Sequence, residues 1–249
     1  MPHPSEAVPR LPGDFSKVLA TPQPLLLVGG QAVNLWALYY ADRTRDLAPF
    51  VSRDADVLGD RETLEVLGRL AGATPQFFPH KPPTNEIGVV IARDSTGAPL
   101  LIEVLRYVNG ATNAELREPA YEFVIGENQA VVQTPGPIAL LQAKVANFTD
   151  LKQVGRQDGR HVLILARVMP AYLEDLRASA CARRMDERTF LDFLERLLAV
   201  VTSTSGRKAF TELKIEPRDI FAELRPEGLS KLQAFLDKRL SRVLPNPSA

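Results

Sequence analysis

The sequence predicts an α+β fold in which a mixed sheet with helices is followed by an all-helical region. Three observations predict it. Short apolar runs rich in Val, Ile and Leu alternate with helical patterns as far as residue 135. A Pro135-Gly136-Pro137 break follows. Beyond it, apolar residues recur at helical spacing.

The elements follow in order. Residues 1–15 read as a flexible or loosely packed arm. Leu25 to Val28 is a short buried strand, stopped by Gly29-Gly30. Gln31 to Tyr40 is a helix that is apolar nearly all round, so it is expected inside the molecule. Asp42 to Pro49 is polar and loop-like. Ser52 to Leu58 reads as a second strand carrying Asp54 and Asp56. Arg61 to Ala71 is helical, with Leu64, Leu67 and Leu70 at helical spacing. Pro75 to Asn85 contains four prolines and reads as a loop. Two strands, Ile87 to Arg93 and Leu100 to Val108, are joined by a hairpin turn at Ser95-Thr96-Gly97. Tyr121 to Ile125 and Ala130 to Gln133 are two more short strands. Past the break, Phe190, Phe193, Leu194, Leu197, Leu198 and Val201 mark one face of a helix, and Leu229 to Leu244 gives another. The expected division is an arm at 1–15, an α/β domain at 16–135 and a helical domain at 136–245.

Composition narrows the function classes. The chain has 249 residues, 45% hydrophobic and 24% charged, which is ordinary for a globular protein with a sizeable core. Lys plus Arg and Asp plus Glu number 30 each. Net charge therefore points neither to nucleic acid nor to a membrane surface, although a local patch can act alone. Cys181 is the sole cysteine, so no intrachain disulfide forms. With His3, His80 and His161 as the only histidines, a zinc cluster is not expected and a reducing cytoplasm fits. Residues 1–14 hold four prolines and no apolar run, unlike a signal peptide. No stretch approaches the roughly 18 apolar residues of a membrane span.

The most informative residues are Asp54 and Asp56. On a strand, i and i+2 share a face with Cα atoms about 6.5 Å apart, which turns Ala55 toward the core. At about 6 Å and an effective dielectric of about 20, the two charges repel by about 2.8 kcal/mol. A half-buried strand holds such a pair with a counter-charge. Arg53 and Arg61 are candidates for a structural one, and Mg²⁺ or Mn²⁺ bound by the carboxylates for a functional one. Glu103 sits inside the apolar run Leu101-Ile102-Glu103-Val104-Leu105. A carboxylate there is costly unless paired. It either faces water on an edge strand or completes the acidic cluster from a strand beside Asp54. Gly29 and Gly30 join a strand to a helix, where backbone can approach a ligand closely and free N–H groups can meet phosphate. A tight turn without a ligand is the other reading. No Walker lysine signature and no G-x-G-x-x-G is present.

In combination, a strand, Gly-Gly, a buried helix and then Ser52-Arg53-Asp54-Ala55-Asp56 resemble the nucleotidyltransferase superfamily. The resemblance is to its AbiEii-type branch, known from abortive-infection and toxin–antitoxin systems. Gly30 stands where many relatives carry serine, which removes a hydroxyl from that position. Leu140-Leu141-Gln142-Ala143-Lys144-Val145-Ala146 resembles the family's lysine helix. Arg156-Gln157-Asp158-Gly159-Arg160-His161 resembles its later Arg/Asp motif, with Gln157 in place of the usual charged neighbour. The resemblance spans about residues 25–165.

It implies a nucleotidyltransferase-like sheet and a metal-dependent transfer of an NMP from an NTP to a hydroxyl acceptor. Asp54, Asp56, Lys144 and Asp158 would be catalytic. Gly29, Gly30, Ser52 and Arg156 would contact nucleotide, and Mg²⁺ (or Mn²⁺) would sit on Asp54, Asp56 and Glu103. Lys144 would meet the NTP phosphates, and Asp158 would orient the attacking hydroxyl. The implied partners are the NTP, a tRNA or protein acceptor, and a cognate antitoxin. The competing expectations are a catalytically degenerate nucleotide-binding or protein-interaction module of the same fold, and a scaffold that works through its helical half.

Overall fold

A computed structural model of the chain describes residues 8–79, 81 and 84–245. The first seven residues of the expected arm lie outside the described residues, as do His80, Pro82 and Pro83 of the proline-rich segment.

The fold is α+β, built on a mixed seven-stranded sheet. Its strands are β1 (Leu25–Val28), β2 (Asp54–Leu58), β3 (Gln76–Phe77), β4 (Glu86–Arg93), β5 (Pro99–Leu105), β6 (Ala120–Ile125) and β7 (Ala130–Pro135). They lie in the order β3-β4-β5-β2-β1-β7-β6. At its centre β2 runs antiparallel to β1 and parallel to β5, while β1 runs parallel to β7. The β4–β5 turn closes through Asp94 and Ala98, around the predicted Ser95-Thr96-Gly97.

Alternation along the central strands sets two faces. Leu27, Ala55, Val57, Ile102 and Val104 bury one face. It packs beneath α1 (Ser16–Leu19) and, through Leu64 and Leu67, beneath α4 (Arg61–Ala71). Asp60 caps α4, accepting from Thr63 N at 2.9 Å. The opposite face buries Leu26, Val28, Leu58 and Leu105, and Asp54, Asp56 and Glu103 share its parity.

The helices on that second face are α2 (Gly29–Tyr39), α6 (Pro137–Asp150) and α7 (Asp158–Cys181), which pack on one another. The short helices α3 (Ala41–Thr44) and α5 (Asn113–Arg117) lie between strands. The helices α8 (Glu187–Thr202), α9 (Thr204–Glu212), α10 (Ser230–Ala234) and α11 (Ser241–Val243) complete the C-terminal part. One apolar core runs from Ala32 and Trp36 of α2 through Leu141, Leu165 and Phe190 to Leu240. Trp36 is its hinge-point: its Nε1 donates to the Pro135 carbonyl at 2.9 Å, and Tyr121, Phe123 and Tyr172 meet its ring edge-on.

Five elements differ from the sequence expectation. Residues 8–15 are not a loose arm. Arg10 forms a two-way backbone bridge with Ser52, at 2.8 and 3.0 Å, its guanidinium pairs with Asp94 at 2.9 Å, and Phe15 is fully buried. Segment 42–49 is not a plain loop. α3 and a 3₁₀ turn at Arg45–Leu47 fill it, stabilised where Thr44 Oγ1 donates to Ala37 O at 2.7 Å. The proline-rich segment contributes β3, because Gly88 leaves room for Gln76 to pair across from Val89. The helix at 229–244 holds a π segment at Phe235–Leu240. The second strand starts at Asp54, two residues later than expected, since Ser52 is engaged with Arg10.

Candidate functional site

The parallel β2–β5 register sets Asp56 directly beside Glu103 and Asp54 beside Leu101. One carboxylate oxygen from each of Asp54, Asp56 and Glu103 lies within 4.8 Å of the others. Glu103 thus takes the second of its two expected placements and joins the acidic cluster. All three side chains are partly buried on the wall of a cavity of about 460 Å³. Among the described residues, no Lys or Arg forms an ion pair with them. Arg61, a candidate structural partner, instead lies 4.1 Å from the centre of the Phe77 ring.

Concentrated negative charge in a desolvated place raises carboxyl pKa values. Burial, then the charges of Asp54 and Glu103, hold Asp56 well above the usual carboxylate range. Burial, then Asp54 and Glu86, push Glu103 up to about 7. The Ser52 hydroxyl donates to Asp54 Oδ1 at 2.9 Å and fixes that carboxylate. Three converging, hard oxygen donors without a cationic partner suit a divalent cation of the Mg²⁺ class.

The glycine turn borders the same cluster. Gly29 has φ +65°, and a Cβ there would fall 1.7 Å from Asp56 Oδ2. Glycine is required twice, by the backbone and by the carboxylate. α2 starts here with Val28 at its N-cap and no side-chain cap, so its first N–H groups are free to meet a ligand. A Cβ at Gly30 would stand 2.7 Å from Ser52 Oγ and 3.3 Å from His161 Cε1. The hydroxyl lost at Gly30 is therefore matched by a neighbouring hydroxyl that fills the space.

Across the cavity, α6 and α7 supply cations. Lys144 is buried, and its Nζ donates to Asp158 Oδ1 at 3.1 Å, while Arg156 Nε donates to Asp158 Oδ2 at 2.6 Å. Burial alone would raise the Asp158 carboxyl, but Lys144 and Arg156 outweigh it and hold it below its usual range. Every site residue expected from the sequence lines this one cavity: Gly29, Gly30, Ser52, Asp54, Asp56, Glu103, Lys144, Arg156 and Asp158. Sequence reasoning missed Tyr107, exposed at the cavity edge, and His161, buried beside Gly30. For His161 a signal existed, since it follows Asp158 by three residues on one helix and so shares its face. Comparison of the chain with protein-family models, curated proteins and solved structures finds no match.

Proposed function

We propose that the protein is a metal-dependent nucleotidyltransferase that moves an NMP from an NTP to a hydroxyl acceptor. The observation that carries this reading is the pairing, in one cavity, of a carboxylate triad with an uncapped helix N-terminus and two cations. Transfer of a phosphoryl-type group needs positioning and charge neutralisation more than covalent help. The first turn of α2 offers N–H groups to phosphate oxygens. Lys144 and Arg156 offset phosphate charge, released by degrees from Asp158. Asp158, held ionised, accepts from and orients the acceptor hydroxyl. Ser52 keeps Asp54 turned to the site. Mg²⁺ or Mn²⁺ on the triad would supply the remaining neutralisation at the attacking and leaving oxygens. The acceptor, a tRNA, another RNA or a protein hydroxyl, and a cognate antitoxin belong to the same proposal.

A second reading, a nucleotide-binding module without transfer, draws on one observation: Asp158 already forms ion pairs with both Lys144 and Arg156. One experiment separates the two. The protein is incubated with each labelled NTP and total cell RNA, with Mg²⁺ or with EDTA, beside Asp54→Asn and Asp56→Asn. Transfer that needs Mg²⁺ and falls at least about 100-fold in both variants is expected. NTP binding without transfer supports the module. Transfer that survives both EDTA and the variants removes the carboxylates from the chemistry.

A further inference from the structure

His161 stands on α7 one turn after Asp158, is 4% exposed and lines the cavity. Neither Nδ1 nor Nε2 has a hydrogen-bond partner among the described residues. Leaving a buried donor or acceptor unmade is costly, and native proteins rarely do it without a reason. The other residues with such atoms, Arg10, Asn34, Thr134 and Arg196, do not line the cavity. Of these residues, His161 alone turns its unpartnered atoms to the cavity.

Its surroundings select the ligand. The ring abuts Gly30 in the first turn of α2, an 11-residue helix with no side-chain cap. Lys144, Arg156 and Arg160 face it with positive charge, and Asp158 with negative. Burial, then the charge of Lys144, push the imidazole well below its ordinary value. At neutral pH it is uncharged, with one N–H to donate. A helix N-terminus, two or more cations and a dry N–H donor favour one kind of guest, an oxyanion.

We propose that His161 donates a hydrogen bond to a phosphate oxygen of the bound nucleotide, forming with the first turn of α2 a phosphate subsite. This assignment rests on the reading of the cavity as a nucleotide site. It adds a residue to that reading that neither the carboxylates nor the lysine helix supplies. It also gives Gly30 a reason, because any side chain there would press on Ser52 and on the imidazole.

The probe is inorganic pyrophosphate with Mg²⁺, tested on the full chain by calorimetry and by the ¹⁵N signals of the imidazole. In the wild type, saturating pyrophosphate is expected to shift the His161 ring signals. His161→Phe keeps the ring and removes both nitrogens, so it should weaken pyrophosphate binding about tenfold or more. His161→Gln restores a neutral donor and should recover most of the affinity. The ligand-free His161→Phe protein should melt no lower than the wild type, since it loses two unmet polar atoms and a merely structural histidine would not behave so. Wild-type affinity in His161→Phe would overturn the proposal. If that variant does not fold, unshifted ring signals in the saturated wild type would overturn it instead. Pyrophosphate binding through His161 in a protein that transfers no nucleotide would leave the subsite standing and remove only the transfer reaction.

Discussion

At the scale of single residues, the acidic triad stores repulsion that ordinary surface carboxylates do not. Asp56→Asn keeps the shape and removes one of three crowded carboxyl groups. In EDTA it should melt at the wild-type temperature or a few degrees above it, because a gain of about 1 kcal/mol moves a chain of this size by about 2–4 °C. The same variant should lose Mg²⁺ binding, as expected where a site trades stability for function. A lower melting temperature with Mg²⁺ binding retained would make Asp56 structural. Glu103 adds a pH dependence. Its folded-state value, about 7, lies above the ordinary 4.5, so the folded protein holds this proton more tightly. The stability that the bound proton contributes is complete below pH 4.5 and is lost as pH rises through 7. Melts in EDTA should therefore fall across that window, and Glu103→Gln should flatten the fall. Mg²⁺ should restore stability above pH 7, where the carboxylate is free to bind it. An identical slope in Glu103→Gln and wild type would show that Glu103 does not titrate there.

At the scale of elements, the β1–α2 turn and strand β2 act as one part. Gly29 and Gly72 both have positive φ, but only at Gly29 would a side chain meet anything, namely Asp56. Alanine at either position carries a backbone cost of about 1 kcal/mol. Gly29→Ala should cost clearly more than Gly72→Ala, and it alone should abolish Mg²⁺ binding. Equal losses would separate the turn from the carboxylates. Much of this part was legible in the sequence. The Gly-Gly stop, the all-round apolar helix and the i, i+2 spacing of Asp54 and Asp56 are local signals, and each gave its element to within two residues. What was not legible depends on distant partners. The pairing of Glu103 with Asp56 follows from a parallel register between strands 40 residues apart in a crossover sheet, and no local pattern encodes it. The two-residue strand β3 exists only because β4 lies beside it. The orphaned state of His161 is a statement about missing neighbours, which a sequence does not carry. By contrast, the helix at Asn113–Arg117 had a local sign, Thr112 and Glu115 in reciprocal caps at 3.2 and 2.8 Å, and the composition of its surroundings hid it.

At the scale of the whole molecule, the apolar core crosses the break at Pro135. Trp36, in the first half by sequence, is buried among residues of the second. Trp36→Ala should cost about 3–5 kcal/mol, and near- and far-ultraviolet circular dichroism should report one shared, lowered transition. Two separate transitions, only one of them shifted, would show that the halves fold apart. The same arrangement divides labour along the chain. The cavity wall is complete by His161, and nothing from α8 to α11 touches it. Its lining begins at Val28, and Arg10 supports that wall from outside it. The main chain of Arg10 is tied to Ser52, the Gln31 side chain donates to both of their carbonyls, at 3.0 and 3.4 Å, and Ser52 in turn steers Asp54. This chain of contacts has a practical consequence for handling the protein. A fusion partner or purification tag ahead of Arg10 joins the chain beside the segment that steers the carboxylates, and a cut between Arg10 and Phe15 separates the Arg10–Ser52 bridge from the rest of the N-terminal segment. Attachments for purification, labelling or surface immobilisation belong beyond α11, since the helices there do not line the cavity.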